Sequence, residues 1–224
     1  MKNNKKSLLI AFLALVVSPA GAQTLNWESL KKQDQHILNI NLSGEHGLGY
    51  GVGYGYQVRN KFIPVLINAE FSAPFGEVLL DDFKIKLGGQ VRWAKFRSFQ
   101  FSTRTFSVFR RYENDFGRLL NFGCDLSGVA GYYRPKWFAA AEIGFDKAVV
   151  THFKHSQTYK DQYAQAVGGW YQPSTGGAFR YGLQAGFSAG KHDIYLRGGR
   201  VLNQDFKTKP IMPYYAQIGY NIRF

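Results

Sequence analysis

Cysteine is nearly missing from this chain: Cys124 is the only one, so no intrachain disulfide can form. Beyond the N-terminal stretch, no apolar run approaches the ~20 residues that a membrane-crossing helix needs. Amphipathic helical spacing is scarce, which argues against a helical bundle. Acids are few, with 15 Asp and Glu against 28 Lys and Arg, and such a surplus suits an anionic partner. In quantity the chain has 14 Tyr, 19 Phe and 25 Gly, which are residues of strands and turns.

The first residues, MKNNKKSLLIAFLALVVSPAGAQ, join Lys2, Lys5 and Lys6 to an apolar run from Leu8 to Val17 and a small-residue A-G-A ending at Ala22. That is the layout of a secretory signal peptide spanning 1–22. The apolar run is half the length of a spanning helix, and no cysteine near the cut offers a lipid attachment point. Removing three lysines with the leader leaves 25 basic residues against 15 acidic. For an exported protein the anionic partners are lipid and polysaccharide head groups, not nucleic acid. Residues 23–34 are expected to form a periplasmic N-terminal tail and 35–224 a single domain.

The clearest segment is the last. In PYYAQIGYNIRF, Tyr214, Ala216, Ile218, Tyr220, Ile222 and Phe224 fall on one face, with Tyr215, Gln217, Gly219, Asn221 and Arg223 on the other. Period two over so many residues suits a membrane-spanning strand of ~9–11 residues better than the 5–6 residues of an average soluble strand. FKIKLGGQVRWA and AFRYGLQAGFSA repeat the pattern, one face fit for lipid and one for water.

Counting back from Phe224 places strands near 213–224, 192–202, 178–189, 137–149, 119–132, 98–110, 83–94, 62–73, 48–58 and 35–43. The expected fold is all-β, an antiparallel transmembrane up-and-down barrel of ten strands, with eight as the alternative if the first pair is misread. Tight connections at Arg59-Asn60-Lys61, Lys95-Phe96-Arg97, Arg134-Pro135-Lys136 and Gly190-Lys191 alternate with longer segments at 44–47, 74–82, 111–118, 150–177 and 203–212. The short turns belong in the periplasm and the long loops outside.

The terminal Phe224, preceded by Ile222 and Tyr220 at alternate positions, resembles the C-terminal insertion signal of Gram-negative outer-membrane β-barrel proteins. The resemblance covers the whole chain in architecture but only its last eleven residues in motif. It implies residence in the outer membrane of a Gram-negative bacterium, contact with its lipid and lipopolysaccharide, and insertion by the barrel-assembly machinery. It names no activity. Lipid A deacylases use a His-x-Ser arrangement, whereas here His155 directly precedes Ser156; omptin proteases use paired Asp with an Asp-x-His element, whereas here Asp81-Asp82 is adjacent and Asp-x-His is absent.

With these faces, Glu70, Asp125, Glu142, Asp146 and Asp193 point inward together with Lys84, Lys86, Arg92, Arg104, Arg110, Arg180, Arg197 and Arg223. A charge on the lipid face near the midplane costs ~2–4 kcal/mol, so this sidedness supports the assignment. Asp125, Glu142 and Asp146 gathered near Arg104 and Arg180 suit either an ion-pair network filling a narrow lumen or acid–base chemistry between carboxylates whose pKa values are driven apart. The network requires only neighbouring opposite charges and is preferred. The cationic surplus would favour anions in an open lumen. Gly47, Gly49, Gly51, Gly53 and Gly55 alternate with larger residues and lack the following helix of a phosphate loop, so they read as an inward face left small for opposing side chains.

The loop 150–177 holds His152, His155, Tyr159, Tyr163, Trp170 and Tyr171 with Lys154 and Lys160, a set able to stack on sugars and attract phosphate. A lid packed on the barrel mouth is the plainer alternative. His-x-x-His without a placed carboxylate is a weak metal signal, so neither metal nor cofactor is expected. Cys124 falls on the lipid side. The leading expectation is a non-enzymatic barrel whose external loops, chiefly 150–177, contact a surface ligand, a polysaccharide or an envelope protein. The alternatives are a small anion-preferring pore, a secretion-system accessory barrel, and a lipid- or peptide-modifying enzyme.

Overall fold

A computed structural model describes residues 23–31, 33–44, 48–60, 62–76, 81–163, 165, 167–173, 176–210 and 212–224. The expected leader 1–22, loop residues 45–47 and 77–80, Gly47 and the turn residue Lys61 lie outside the described residues.

Among the described residues the strands are β1 (His36–Gly44), β2 (Leu48–Val58), β3 (Val65–Pro74), β4 (Phe83–Phe96), β5 (Phe99–Asn114), β6 (Gly117–Tyr133), β7 (Trp137–His155), β8 (Gly169–Tyr171), β9 (Gly177–Ala189), β10 (His192–Asn203) and β11 (Tyr214–Arg223), with a short helix α1 (Gln157–Gln162) between β7 and β8. Every pairing is antiparallel. β1 pairs with both β2 and β11, and β6 with both β5 and β7, so the sheet closes on itself as a barrel of ten strands. Three-residue β8 is extra, laid on the outer end of β7 at Thr151–Phe153. Closure gives every wall strand two neighbours and leaves no edge, as lipid demands.

Alternation decides the faces. Ile67, Leu126, Ile143, Leu183, Leu196 and Ile218 are 52–70% exposed on the outside, while their chain neighbours Leu66, Asn68, Asp125, Ser127, Glu142, Gln184, Tyr195, Arg197 and Gln217 are buried within. An apolar outer belt around a polar interior is a membrane barrel's distribution. Aromatic rings edge the belt at both ends: Tyr132 with Trp137 and Phe99 at the short-turn end, and Phe83, Phe109 and Phe122 near the other. Cys124 is exposed on the outer face.

Two bulges adjust the register, at Trp93 against β5 and at Val149 against β6. An added residue in one strand inverts its side-chain parity beyond that point. On β7 the inward series Glu142, Asp146 and Ala148 therefore resumes at Thr151. The two-residue turn Gly190-Lys191 rests on glycine at φ 61°, where a side chain would be strained.

The expected strands agree with the observed ones to within a few residues, except at the outer ends of β5, β6 and β7. These have 16, 17 and 19 residues, so the expected loop 111–118 shrinks to a turn at Asp115 and Phe116, and residues 150–155 are strand. Residues 23–30 depart further from expectation. Expected as periplasmic tail, Gln23, Thr24, Leu25, Asn26, Trp27 and Ser29 are 0–8% exposed inside the barrel.

Candidate functional site

The lumen is organised in two halves. In the outer half, charged side chains reach across it: Asp125 accepts from Lys86 of β4 and Arg180 of β9, each at 2.5 Å. Glu142 is held at 2.5 Å by Arg197 and also accepts from the Tyr215 hydroxyl, with Arg104 at 3.6 Å. Arg110 donates to Asp146 at 2.6 Å and to Asn121 at 2.9 Å. These side chains are at most 8% exposed. Arg180 lies flat over Gly144, where a β-carbon would stand 2.8 Å from its guanidinium carbon.

Asp125 and Asp146 are register partners on β6 and β7, yet Asp125 is held by Lys86 and Arg180, Asp146 by Arg110 and Glu142 by Arg197, with no cation shared at hydrogen-bond distance. The carboxylates are thus held as separate ion pairs. Arg104 has an Nε and an Nη1, and Arg180 an Nε and an Nη1, without a hydrogen-bond partner. Glu70 accepts from the Gln23 backbone nitrogen, Arg92 pairs with Glu28 at 3.6 Å, and Asp193 pairs with Arg223 at 3.2 Å. Lys84 is buried on the same inner wall.

The inner half is lined by amides, Asn39, Asn68, Gln90, Gln184 and Asn221, and filled by residues 23–30. Asn68 donates to Gln23 Oε1 at 2.6 Å, Gln90 to Gln23 O at 2.9 Å, Asn221 to Thr24 O at 2.8 Å, and Thr24 Oγ1 to Gln184 Oε1 at 3.1 Å. Asn26 Nδ2 donates to Ser188 Oγ at 2.9 Å. Leu25 and Trp27 complete an apolar cluster with Ile37, Leu66, Val129, Tyr133, Phe138, Ala140 and Tyr195. Arg92 stands over the Trp27 ring at 5.9 Å. Sequence reasoning missed this plug because a short polar stretch before the first strand has no periodicity to read. The run of inward amides was the available signal, since neutral donors and acceptors in that number suit a backbone segment better than an open channel.

At the long-loop end, the hairpin of β6 and β7 extends past the membrane-spanning length of ~9–11 residues and carries the aromatic residues. Phe153 stacks on Tyr171 with ring centres 5.4 Å apart and His155 on Tyr159 at 4.8 Å, while His152 meets Trp170 at 4.8 Å and Tyr159 meets Tyr163 at 4.9 Å with their planes tilted. Trp170 is 62% exposed. Lys154 and Lys160 are exposed beside them. His152 and His155 stand on β7 rather than in a loop, and residues three apart on a strand face opposite ways, so they do not converge. Ser156 caps α1 by accepting from Tyr159 N at 3.2 Å, so its hydroxyl serves the helix end. Among the described residues, no group of three His, Cys, Asp or Glu is placed to hold a metal.

Tyr220 and Ile222 lie on the outer face of β11, near the short-turn end, and Phe224 follows its last residue, 48% exposed. There His192 and the Tyr220 hydroxyl share a hydrogen bond at 2.5 Å.

No family model and no curated protein matches this chain. Among solved structures, an outer-membrane channel from Pseudomonas putida F1 superposes with a TM-score of 0.50 at 10% identity, over 91% of this chain and 100% of that one. The KdgM porin in complex with disordered oligogalacturonate aligns at a TM-score of 0.42 and 8% identity, over 84% of this chain and 99% of that one. The fold is that of outer-membrane β-barrels.

Proposed function

We propose that this protein is an outer-membrane barrel of a Gram-negative bacterium that serves as a non-enzymatic scaffold, binding an anionic polysaccharide or lipopolysaccharide on the hairpin of β6 and β7 and the segment 156–171. The observation that carries the reading is the series of ring contacts His152–Trp170, Phe153–Tyr171 and His155–Tyr159–Tyr163, stacked or tilted, at the long-loop end of the barrel with Lys154 and Lys160 beside it. Rings held by neighbouring rings present apolar faces to sugars at little entropic cost, and the lysines suit phosphate or carboxylate groups. Insertion by the barrel-assembly machinery through Tyr220, Ile222 and Phe224 belongs to the same reading.

The test is titration of the purified, folded barrel with lipopolysaccharide and with acidic polysaccharide, following Trp fluorescence. Binding that weakens at least about tenfold in Trp170→Ala with Tyr159→Ala, equivalent to ~1.4 kcal/mol, supports the proposal. Affinity unchanged in that double variant sinks it.

A second reading, a small anion-preferring pore, draws on the unpartnered nitrogens of Arg104 and Arg180 in the lumen. It requires ohmic conductance that changes in Arg104→Gln; a silent bilayer removes it.

A further inference from the structure

The plug begins at a particular chemical point. Gln23 is 1% exposed, and its backbone nitrogen donates to Glu70 Oε1 at 2.6 Å. Glu70 is on the lumen face of β3, opposite Gly53 of β2 and Lys86 of β4. Gln23 is also the residue that follows the expected leader-peptidase cut after Ala22.

We propose that Glu70 is the docking site for the α-ammonium group that proteolytic processing creates at Gln23, and that this ion pair locks residues 23–30 into the lumen. In the hydrolysis, catalysed by the exporting cell's signal peptidase, a water oxygen adds to the Ala22 carbonyl carbon and the bond to Gln23 N breaks. Ala22 departs with the leader as a carboxylate, and the freed Gln23 amine takes up a proton.

The chemistry favours the processed form. A peptide N–H offers Glu70 one neutral donor, whereas an ammonium offers three donors and a full charge, and charge-assisted hydrogen bonds are about twice as strong as neutral ones. The Gln23 side chain is already held, with Oε1 accepting from Asn68 at 2.6 Å and Nε2 donating to Asn221 at 3.4 Å. The missing side chain at Gly55 leaves it room, since a β-carbon there would stand 3.0 Å from Gln23 Oε1. Held this way, the side-chain amide carbon is kept from attack by the α-amine, the ring closure with loss of ammonia that converts free N-terminal Gln to pyroglutamate. Gln23 thus anchors the plug by hydrogen bonds to β3, β4 and β11, beside a position of β2 left bare at Gly55.

The experiment uses the barrel purified from membranes. Its N-terminal peptide is read by mass spectrometry before and after acetylation at neutral pH, folded and after unfolding by heat in urea. The proposal expects a chain starting at Gln23 with a free amine that acetylates at least about tenfold more slowly when folded, a difference matched by one pKa unit of protection. Glu70→Gln, if it folds, raises the folded rate toward the unfolded one. A chain starting elsewhere, pyroglutamate at Gln23, equal folded and unfolded rates, or a folded Glu70→Gln barrel as protected as the native one would each overturn the assignment. Where the variant does not fold, the wild-type start site, the state of its amine and the ratio of folded to unfolded rates can each still overturn the assignment.

Discussion

Arg180 on β9 donates to Asp125 on β6 at 2.5 Å, past the intervening strand β7, and both side chains are 1% exposed. The contact passes over Gly144 of β7, so a backbone position without a side chain is what lets charges two strands apart meet.

Asp125→Asn breaks the pairs with both Arg180 and Lys86 and leaves two buried cations poorly compensated. Removing one partner of a buried pair costs about 3–5 kcal/mol. Urea unfolding of the barrel in detergent, followed by the heat-dependent shift in electrophoretic mobility, is expected to show a loss of that size. A change below about 1 kcal/mol, the range of surface pairs, would mean that water reaches these charges.

Trp27→Ala separates a plug from a tail. Trp27 is 5% exposed among Leu66, Tyr133 and Phe138, and truncating a buried Trp costs about 3–5 kcal/mol. A solvated tail would lose nothing. Equilibrium unfolding of the variant beside wild type reads the difference directly.

Phe224 and His36 exchange backbone hydrogen bonds at 2.9 Å across the β1–β11 seam, and their rings stack at 5.4 Å. Phe224→Ala keeps both backbone bonds and removes one stacked ring at an exposed rim, worth about 1 kcal/mol of folded-state stability. If the residue also directs insertion, heat-modifiable barrel in the membrane fraction falls several-fold, more than that energy alone explains. Matched losses in yield and stability would assign Phe224 to the seam alone.

Asp205 governs the loop between β10 and β11. Its carboxylate accepts from the Thr208 hydroxyl at 2.8 Å and from the backbone nitrogens of Lys207 and Thr208 at 3.0 and 3.1 Å. These bonds, that of Thr208 foremost, hold its pKa below the ordinary carboxylate value. A depressed pKa stabilises the folded loop above the unfolded value, near 3.9 for Asp, and that contribution fades as pH falls through the folded pKa. Protease nicking of 203–210 in the intact barrel is expected to stay constant from neutral pH to about pH 4 and to rise below it; Asp205→Ala nicks readily throughout. A wild-type rise beginning near pH 6 would place control with another group.

Period two along each strand, from Phe83 to Trp93 or Tyr214 to Phe224, was enough to identify the barrel, its strands and the inward side of Lys86, Arg104, Asp125, Glu142 and Arg180. Alternation is a local property, and the bilayer enforces it residue by residue. Which inward charge meets which was not legible. Asp125 reaches Lys86 and Arg180 rather than Arg110 because register, the bulge at Val149 and the space over Gly144 set those distances. The height of the β6–β7 hairpin depended on pairing between strands, which carried it past the residues whose alternation marks the membrane. The place of Gln23 to Leu30 rested wholly on the closed barrel, because eight polar and apolar residues acquire an interior only when walls as far apart in sequence as Asn68 and Asn221 stand around them.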